Sequence, residues 1–268
     1  MGQKVNQSIF RLKVNNSEWN YKYLEKNAEE SSLFLYRTAQ IIDYINNTFK
    51  FYNIIVHSCK IEYTKTSINI SIYFFDLDFK KTETYVNRKQ LISFIVSELL
   101  PISLNLYTKN NKINIKTKSL NEIFTTKNNK STYEKTIRNF KKFLKNKPYK
   151  SYKSLIKIMF LTVCEKNSAK LLADCIAIYI NKHRKRHGYL LFILKKCLNI
   201  LVFSKFSIIN GLKIEISGRI NGAPRAKTKK IQIGSIPLQS FTSLISYHNA
   251  TSYTLNGSFG IKVWICEK

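Results

Sequence analysis

Glycine is almost missing from the first two thirds of this chain: of 8 glycines in 268 residues, none lies between Gly2 and Gly188. A Gly-rich phosphate loop of the nucleotidase or dinucleotide-binding kind is therefore excluded from that stretch. Cysteine is also sparse. Cys59, Cys164, Cys175, Cys197 and Cys266 are odd in number, widely spaced and form no C-x-x-C pair, which argues against a disulfide framework or a zinc ribbon and for reduced, buried thiols. Acids are the third shortage, with 16 Asp plus Glu against 45 Lys plus Arg and a net charge of +29. Long apolar runs are lacking too. The best, Tyr189 to Phe203, is interrupted by Lys195 and Lys196 and falls short of the ~20 residues that span a bilayer. The opening Met1-Gly2-Gln3-Lys4-Val5-Asn6 carries no signal core and no Arg-rich presequence, so the sequence predicts a protein made where it works and no membrane partner.

What is present is enough apolar matter, 44% of the residues, to fill real cores, with length for two domains. The charge is uneven. Residues 1–100 carry 13 bases and 10 acids, whereas residues 101–268 carry 32 bases and 6 acids. A polyanion must neutralise the second half, because like charges at that density repel. Only 8 of the bases are Arg, while Lys, Asn, Ile, Phe and Tyr abound. That is the vocabulary of A- and T-rich codons and points to an organellar or reduced genome.

Apolar periodicity predicts a helix over 29–50 (Phe34, Ile41, Ile42, Ile45, Phe49), β-rich 53–59, and a half-buried strand over 68–75. A second helix over 87–100 is expected to stop at Pro101, with a strand from Ile102 to Tyr107, giving the order α-β-β-α-β. Residues 108–150 are rich in Lys and Asn and read as a basic insertion. Helices follow at 152–165, 168–182 (capped by Asn167 or Ser168) and 189–205. Strands are then expected at 211–220, 228–233, 244–255 and 259–266, with Asn221-Gly222 and Asn256-Gly257 as hairpin turns. The reading is an α+β protein in which C-terminal helices pack on a mostly antiparallel sheet. Its segments are a 1–28 arm, a 29–107 domain, a 108–166 insertion and a 167–268 domain.

Candidate chemistry is thin. Asp76 and Asp78 form an Asp-x-Asp pair that could hold Mg²⁺ for nucleotidyl transfer or hydrolysis, as in an organellar maturase or nuclease. Alternation with Phe75, Leu77 and Phe79 places both carboxylates on an outward, solvated face. No catalytic residue, metal site or cofactor is expected. His183 and His187 lie one helical turn apart but flank Arg184, Lys185 and Arg186, so they read as part of an RNA-facing basic run rather than as metal ligands. The cations that could contact phosphate are Lys182, Arg184, Lys185 and Arg186, then Lys195 and Lys196, and finally Arg225, Lys227, Lys229 and Lys230. No acid occurs from Cys175 to Lys213 to absorb them locally.

Three segments resemble one family. They are Met1 to Asn6 followed by Phe10-Arg11-Leu12; Gly211 to Ala223, containing Ser217-Gly218-Arg219-Ile220-Asn221-Gly222, with Ala226-Lys227-Thr228; and Gly234 through Ile236-Pro237-Leu238 and Ile245-Ser246-Tyr247 to Gly257 and Gly260-Ile261-Lys262-Val263-Trp264-Ile265. The pattern is similar to the universal small ribosomal subunit protein S3 family, bacterial type. The resemblance implies an N-terminal type II KH domain, here degenerate, and a C-terminal α+β domain. It also implies a structural, non-enzymatic place in the head of the small subunit where mRNA enters, with ribosomal RNA, mRNA and the S10 and S14 families as partners. It adds Lys4, Arg11 and Arg219 to the RNA-binding residues and gives Gly218 and Gly222 the role of letting the backbone approach a polyanion. The KH loop that should carry Gly-x-x-Gly reads Leu77 to Tyr85 without a glycine. The basic helix that faces mRNA in bacterial relatives keeps Lys195-Lys196 but has Leu191 and Phe192 where an earlier basic pair belongs. AT-rich usage and the insertion suggest a mitochondrially encoded variant working in the mitochondrial matrix.

Overall fold

The computed structural model describes residues 5–7, 9–11, 20–27, 29–64, 66–77, 90–108, 112–125, 134, 152–165, 168–183 and 187–268. The chain divides into two units, one of Glu18–Asn129 and the other of Lys130–Lys268 together with Met1–Ser17.

In the first unit, helix α1 (Glu30–Phe51) buries Thr38, Ile41, Ile45 and Phe49 along one stripe. Strands β1 (Tyr21–Lys22), β2 (Ile54–Tyr63), β3 (Ser67–Asp76) and β4 (Lys112–Ser119) form a sheet in that spatial order. The two central strands run antiparallel, while β1 pairs parallel with β2 and β4 parallel with β3. Strict alternation in β3 sends Ile68, Ile70, Ile72 and Phe74 into the core against α1. The alternation is blurred in β2 because a bulge falls between Val56 and Ser58.

The second helical segment corrects the sequence reading. It does not stop at Pro101 but runs on as α2 (Leu100–Thr108), and the strand expected at 102–107 lies instead at 112–119. Proline lacks an amide and its ring crowds the carbonyl four residues back. The chain accommodates this with a π-helical turn at Ile95–Leu99, in which the Leu100 amide donates to Ile95 O, five residues back. The extra residue also rephases the apolar stripe, so Ile95, Leu100 and Leu104 all reach the core. The order α-β-β-α-β survives.

In the second unit, helix α3 (Lys153–Cys164) packs against helices α4 (Ala169–Lys182) and α5 (His187–Val202), which in turn pack on an antiparallel sheet of β5 (Ile209–Gly218), β6 (Lys227–Gly234), β7 (Ile245–Thr254) and β8 (Gly257–Glu267), ordered β6-β5-β8-β7. Helix α3 buries every residue from Leu155 to Cys164 except Lys157, as befits a helix that is apolar all round. The residues assigned to a 108–166 insertion thus include a strand of the first sheet and a core helix of the second unit, which narrows the insertion from both sides. Ser168 is the cap of α4, its Oγ accepting from Leu171 N at 3.2 Å, worth about 1 kcal/mol. Leu212, Ile214 and Ile216 of β5 and Ile261, Val263 and Ile265 of β8 are paired in register and buried. Polar residues on that inner face are satisfied by α4: Ser252 Oγ donates to Ala177 O at 2.8 Å and Ser246 Oγ accepts from Ala169 N at 3.2 Å.

All five cysteines are buried and reduced. Burial pushes the Cys164 and Cys197 thiols up to about 12 and Cys175 well above its ordinary value, and the thiolate is the reactive form. A thiol-specific reagent should therefore label the native protein very slowly at neutral pH and all five positions once it is unfolded. Rapid native labelling would show that one of these core positions opens to solvent.

Candidate nucleic-acid interface

At one end of the second unit the β5–β6 connection meets the start of α5. Ile220–Gly222 forms a single 3₁₀ turn in which Asn221 adopts a left-handed conformation, φ 57° and ψ 26°, tolerated by Asn because its short polar side chain bonds locally. Asn221 N donates to His187 Nδ1 at 3.0 Å, and Asn221 Oδ1 accepts from Gly188 N at 3.3 Å. The turn and the helix N-terminus thus hold each other, and an otherwise orphan amide of α5 is satisfied. His187 is 3% exposed, and burial pushes its imidazole below the ordinary value against a smaller upward pull from the Ile180 backbone. It is a packing and positioning residue, edge-to-face with Phe259 at 5.1 Å, which corrects its expected place among RNA-facing residues.

Arg219, exposed, donates from Nε to Ala223 O at 2.8 Å. That bond uses the Nε–H, one of the five N–H donors of the guanidinium. Arg225 and Lys227 continue the exposed basic surface, and Lys182 ends α4 five residues before His187. The side chain of Asn256, in the β7–β8 hairpin, lies beside Gly222. That hairpin pairs Thr254 with Gly257, so Leu255-Asn256 form its tip, one residue earlier than Asn256-Gly257. The β5–β6 connection is likewise longer than a two-residue hairpin, since Gly218 and Lys227 close it.

The other expected residues separate. Lys195 and Lys196 are exposed on α5, about 12 Å along the helix from its start, on a face shared with Phe192, which is 47% exposed. On edge strand β6 the cations split by alternation. Lys227 and Lys229 lie on the face of Ile231 and Ile233, whereas Lys230 lies on the opposite face, 3.7 Å from Glu215 Oε1, which Lys213 also meets at 3.0 Å. Lysine on an edge strand also discourages strand addition by another chain. Lys4, Arg184, Lys185, Arg186 and Asp78 lie outside the described residues.

Three expectations are overturned. Arg11 is not a surface contact: it is 1% exposed, its Nη1 donating to Gln7 O (3.0 Å) and Gln7 Oε1 (2.9 Å), its Nη2 to Leu238 O (3.0 Å) and Ser240 O (2.6 Å). Phe10 meets Phe241 edge-on beside it. Gly218 does not serve approach by a polyanion, because at its φ of +154° a Cβ would fall 2.5 Å from Phe259 Cδ1. The space is filled by the protein's own core. Gly222, at φ +75° and exposed, keeps the turn role. Asp76 is 2% exposed rather than solvated, and its backbone N–H and C=O are both held by the Asn121 amide at 3.1 and 3.0 Å. Among the described residues no group of three His, Cys, Asp or Glu could hold a metal ion, and no helix is long and apolar enough to cross a membrane. What the sequence reading missed is Asn221, whose cue was only the Asn-Gly pair read as a hairpin.

Two helices on a four-stranded antiparallel sheet, a third helix packed against them and a basic corner pinned by Asn221 define a basic α+β domain. Residues 197–265 match the family described as ribosomal protein S3, C-terminal domain. Over 106 residues the chain is 35% identical to small ribosomal subunit protein uS3c of Tupiella akineta, covering 40% of this chain and 45% of that protein. It is 48% identical over 58 residues to uS3c of Emiliania huxleyi (22% and 27%) and 42% identical over 74 residues to uS3 of Karelsulcia muelleri (27% and 33%). Through this domain the chain is similar to ribosomal protein S3, and it spans less than half the length of those relatives.

Proposed function

We propose that this chain is a structural, non-enzymatic constituent of the small ribosomal subunit that binds ribosomal RNA chiefly through the corner built by Arg219–Lys227 and the α4–α5 junction. The observation that carries the reading is the locked turn. Asn221 fixes the loop to α5 while the Arg219 guanidinium, braced through Nε, offers its remaining edge for forked bonding to phosphate. Lys182, Lys195, Lys196, Lys229 and Lys230 are further exposed cations of the same unit, and the sequence adds Lys4 and Arg184–Arg186 to the proposed RNA contacts. A place in the subunit head where mRNA enters, beside proteins of the S10 and S14 families, belongs to the same proposal. So does a degenerate KH assignment for the 29–107 domain, supported by an α-β-β-α-β order whose last strand falls just beyond it, at 112–119. The relatives carry both uS3c and uS3 names, so the ribosome is of organellar or bacterial type, with mitochondrial matrix and plastid fitting equally. The maturase or nuclease reading loses its footing with Asp76 turned inward.

Arg219→Ala should impair incorporation into small subunits, measured by sedimentation after a salt wash, more than Lys80→Ala. Arg219→Lys should recover little, since an ammonium cannot both brace the Ala223 carbonyl and fork onto phosphate. Equal losses for Arg219→Ala and Lys80→Ala would remove the corner from the interface.

A further inference from the structure

The β5–β6 connection is fastened to the rest of the domain through one imidazole. Gly222 N donates to Arg219 O at 3.1 Å and Ala223 N to Ile220 O at 3.2 Å, but those bonds only close the turn on itself. Two others tie it to α5, and the shorter, from Asn221 N at 3.0 Å, needs a lone pair on His187 Nδ1. Nδ1 therefore carries no proton, and the neutral ring's N–H is at Nε2. That nitrogen is buried beside the Ile180 backbone without a hydrogen bond of ordinary geometry. Ile180 of α4, Leu190 of α5, Ile216 of β5, Ile220 of the turn and Phe259 of β8 surround the ring. The charged and titratable groups of those elements do not favour an imidazolium. Lys182 and His183 end α4, Arg219 precedes the turn, and Tyr189, Lys195 and Lys196 follow on α5. The acids are committed elsewhere: Asp174 of α4 lies 3.6 Å from His248, and Glu215 of β5, opposite Lys262 of β8, is on the other face of the sheet, 3.0 Å from Lys213.

We infer that His187 is a proton-sensitive latch on this corner, holding the loop that carries Arg219 while it is neutral and releasing it once it is protonated. Protonation puts a second N–H at Nδ1, so a donor faces the Asn221 donor and the bond is lost. The 3.3 Å bond from Gly188 N to Asn221 Oδ1 then stands alone, and it depends on an asparagine kept at φ 57°, a conformation that needs local bonding to hold it. Burial already pushes the imidazole below its ordinary value. The latched form is therefore complete above an ordinary imidazole pKa of about 6.5 and is lost as pH falls below it, by up to about tenfold per pH unit for one proton. For RNA the consequence, which rests on the corner proposed above as the interface, is weaker binding in acid. A histidine facing phosphate does the reverse, because it gains charge in acid and tightens binding.

Two measurements on the full chain at constant salt test the latch and its consequence separately. Hydrogen exchange in the free protein should show the protection factor of the Asn221 amide falling about tenfold between about pH 7 and about pH 5.5, while the amides of β8 keep theirs. Fluorescence anisotropy with a fluorescein-labelled transcript of small-subunit ribosomal RNA should show affinity falling several-fold over the same interval. His187→Asn, whose side-chain oxygen can stand near the Nδ1 position without titrating, should flatten both profiles. Constant protection of Asn221 in acid overturns the latch, and so does an acid loss that persists in His187→Asn, since another group would then be titrating. Protection lost in acid while RNA affinity stays constant or tightens keeps the latch and sinks the corner as the RNA interface.

Discussion

The affinity of the full chain for ribosomal RNA is expected to fall about a thousandfold between about 50 and about 200 mM salt. The second half of the sequence carries 32 bases against 6 acids. Eight of the expected contacts, namely Lys182, Lys195, Lys196, Arg219, Arg225, Lys227, Lys229 and Lys230, are exposed in the structure. Each phosphate that such a cation neutralises releases condensed counterions, and that release weakens as bulk salt rises. Lys230 should contribute less than the others, since Glu215 already lies 3.7 Å from it. Filter binding or fluorescence anisotropy across a salt series measures the slope. A flat profile would mean that these cations do not meet phosphate, and the ribosomal reading would then rest on family likeness alone.

Arg11→Ala is expected to destabilise the second unit by about 3 kcal/mol, a drop of roughly 10 °C in melting temperature, with RNA affinity measured below the transition unchanged. The guanidinium is buried and gives four hydrogen bonds, two of them to the carbonyls of Leu238 and Ser240. Truncation would strand those carbonyls in a site that water does not readily reach, and an unsatisfied buried acceptor costs more than an intact bond contributes. Arg11→Lys should recover only part, because one ammonium cannot span acceptors contributed by both the arm and the loop. Differential scanning calorimetry with a parallel RNA titration decides the matter. Unchanged melting with weakened RNA binding would return Arg11 to the surface role its sequence context suggested.

Local pattern in the sequence was enough for every element whose period is uninterrupted. The β3 alternation, the α1 stripe, the Ser168 cap and the four C-terminal strands all appear within a few residues of their expected bounds, because period and capping are properties of neighbouring residues. The net charge, the thiol state and the likeness of the C-terminal segment to ribosomal protein S3 were equally legible. Tertiary structure decided the rest. A π-turn, whose cost is met by core packing at Ile95, Leu100 and Leu104, carried a helix through Pro101 and moved a strand to 112–119. Long-range contacts between residues more than two hundred positions apart turned Arg11 from a candidate phosphate ligand into an internal brace. Phe259 claimed the space at Gly218, Asn121 fixed the backbone of Asp76, and His187 became a support for the Asn221 turn. A lone charged or glycine residue in a sequence has no fixed direction, and only the neighbours that packing brings to it determine whether it faces solvent or the core.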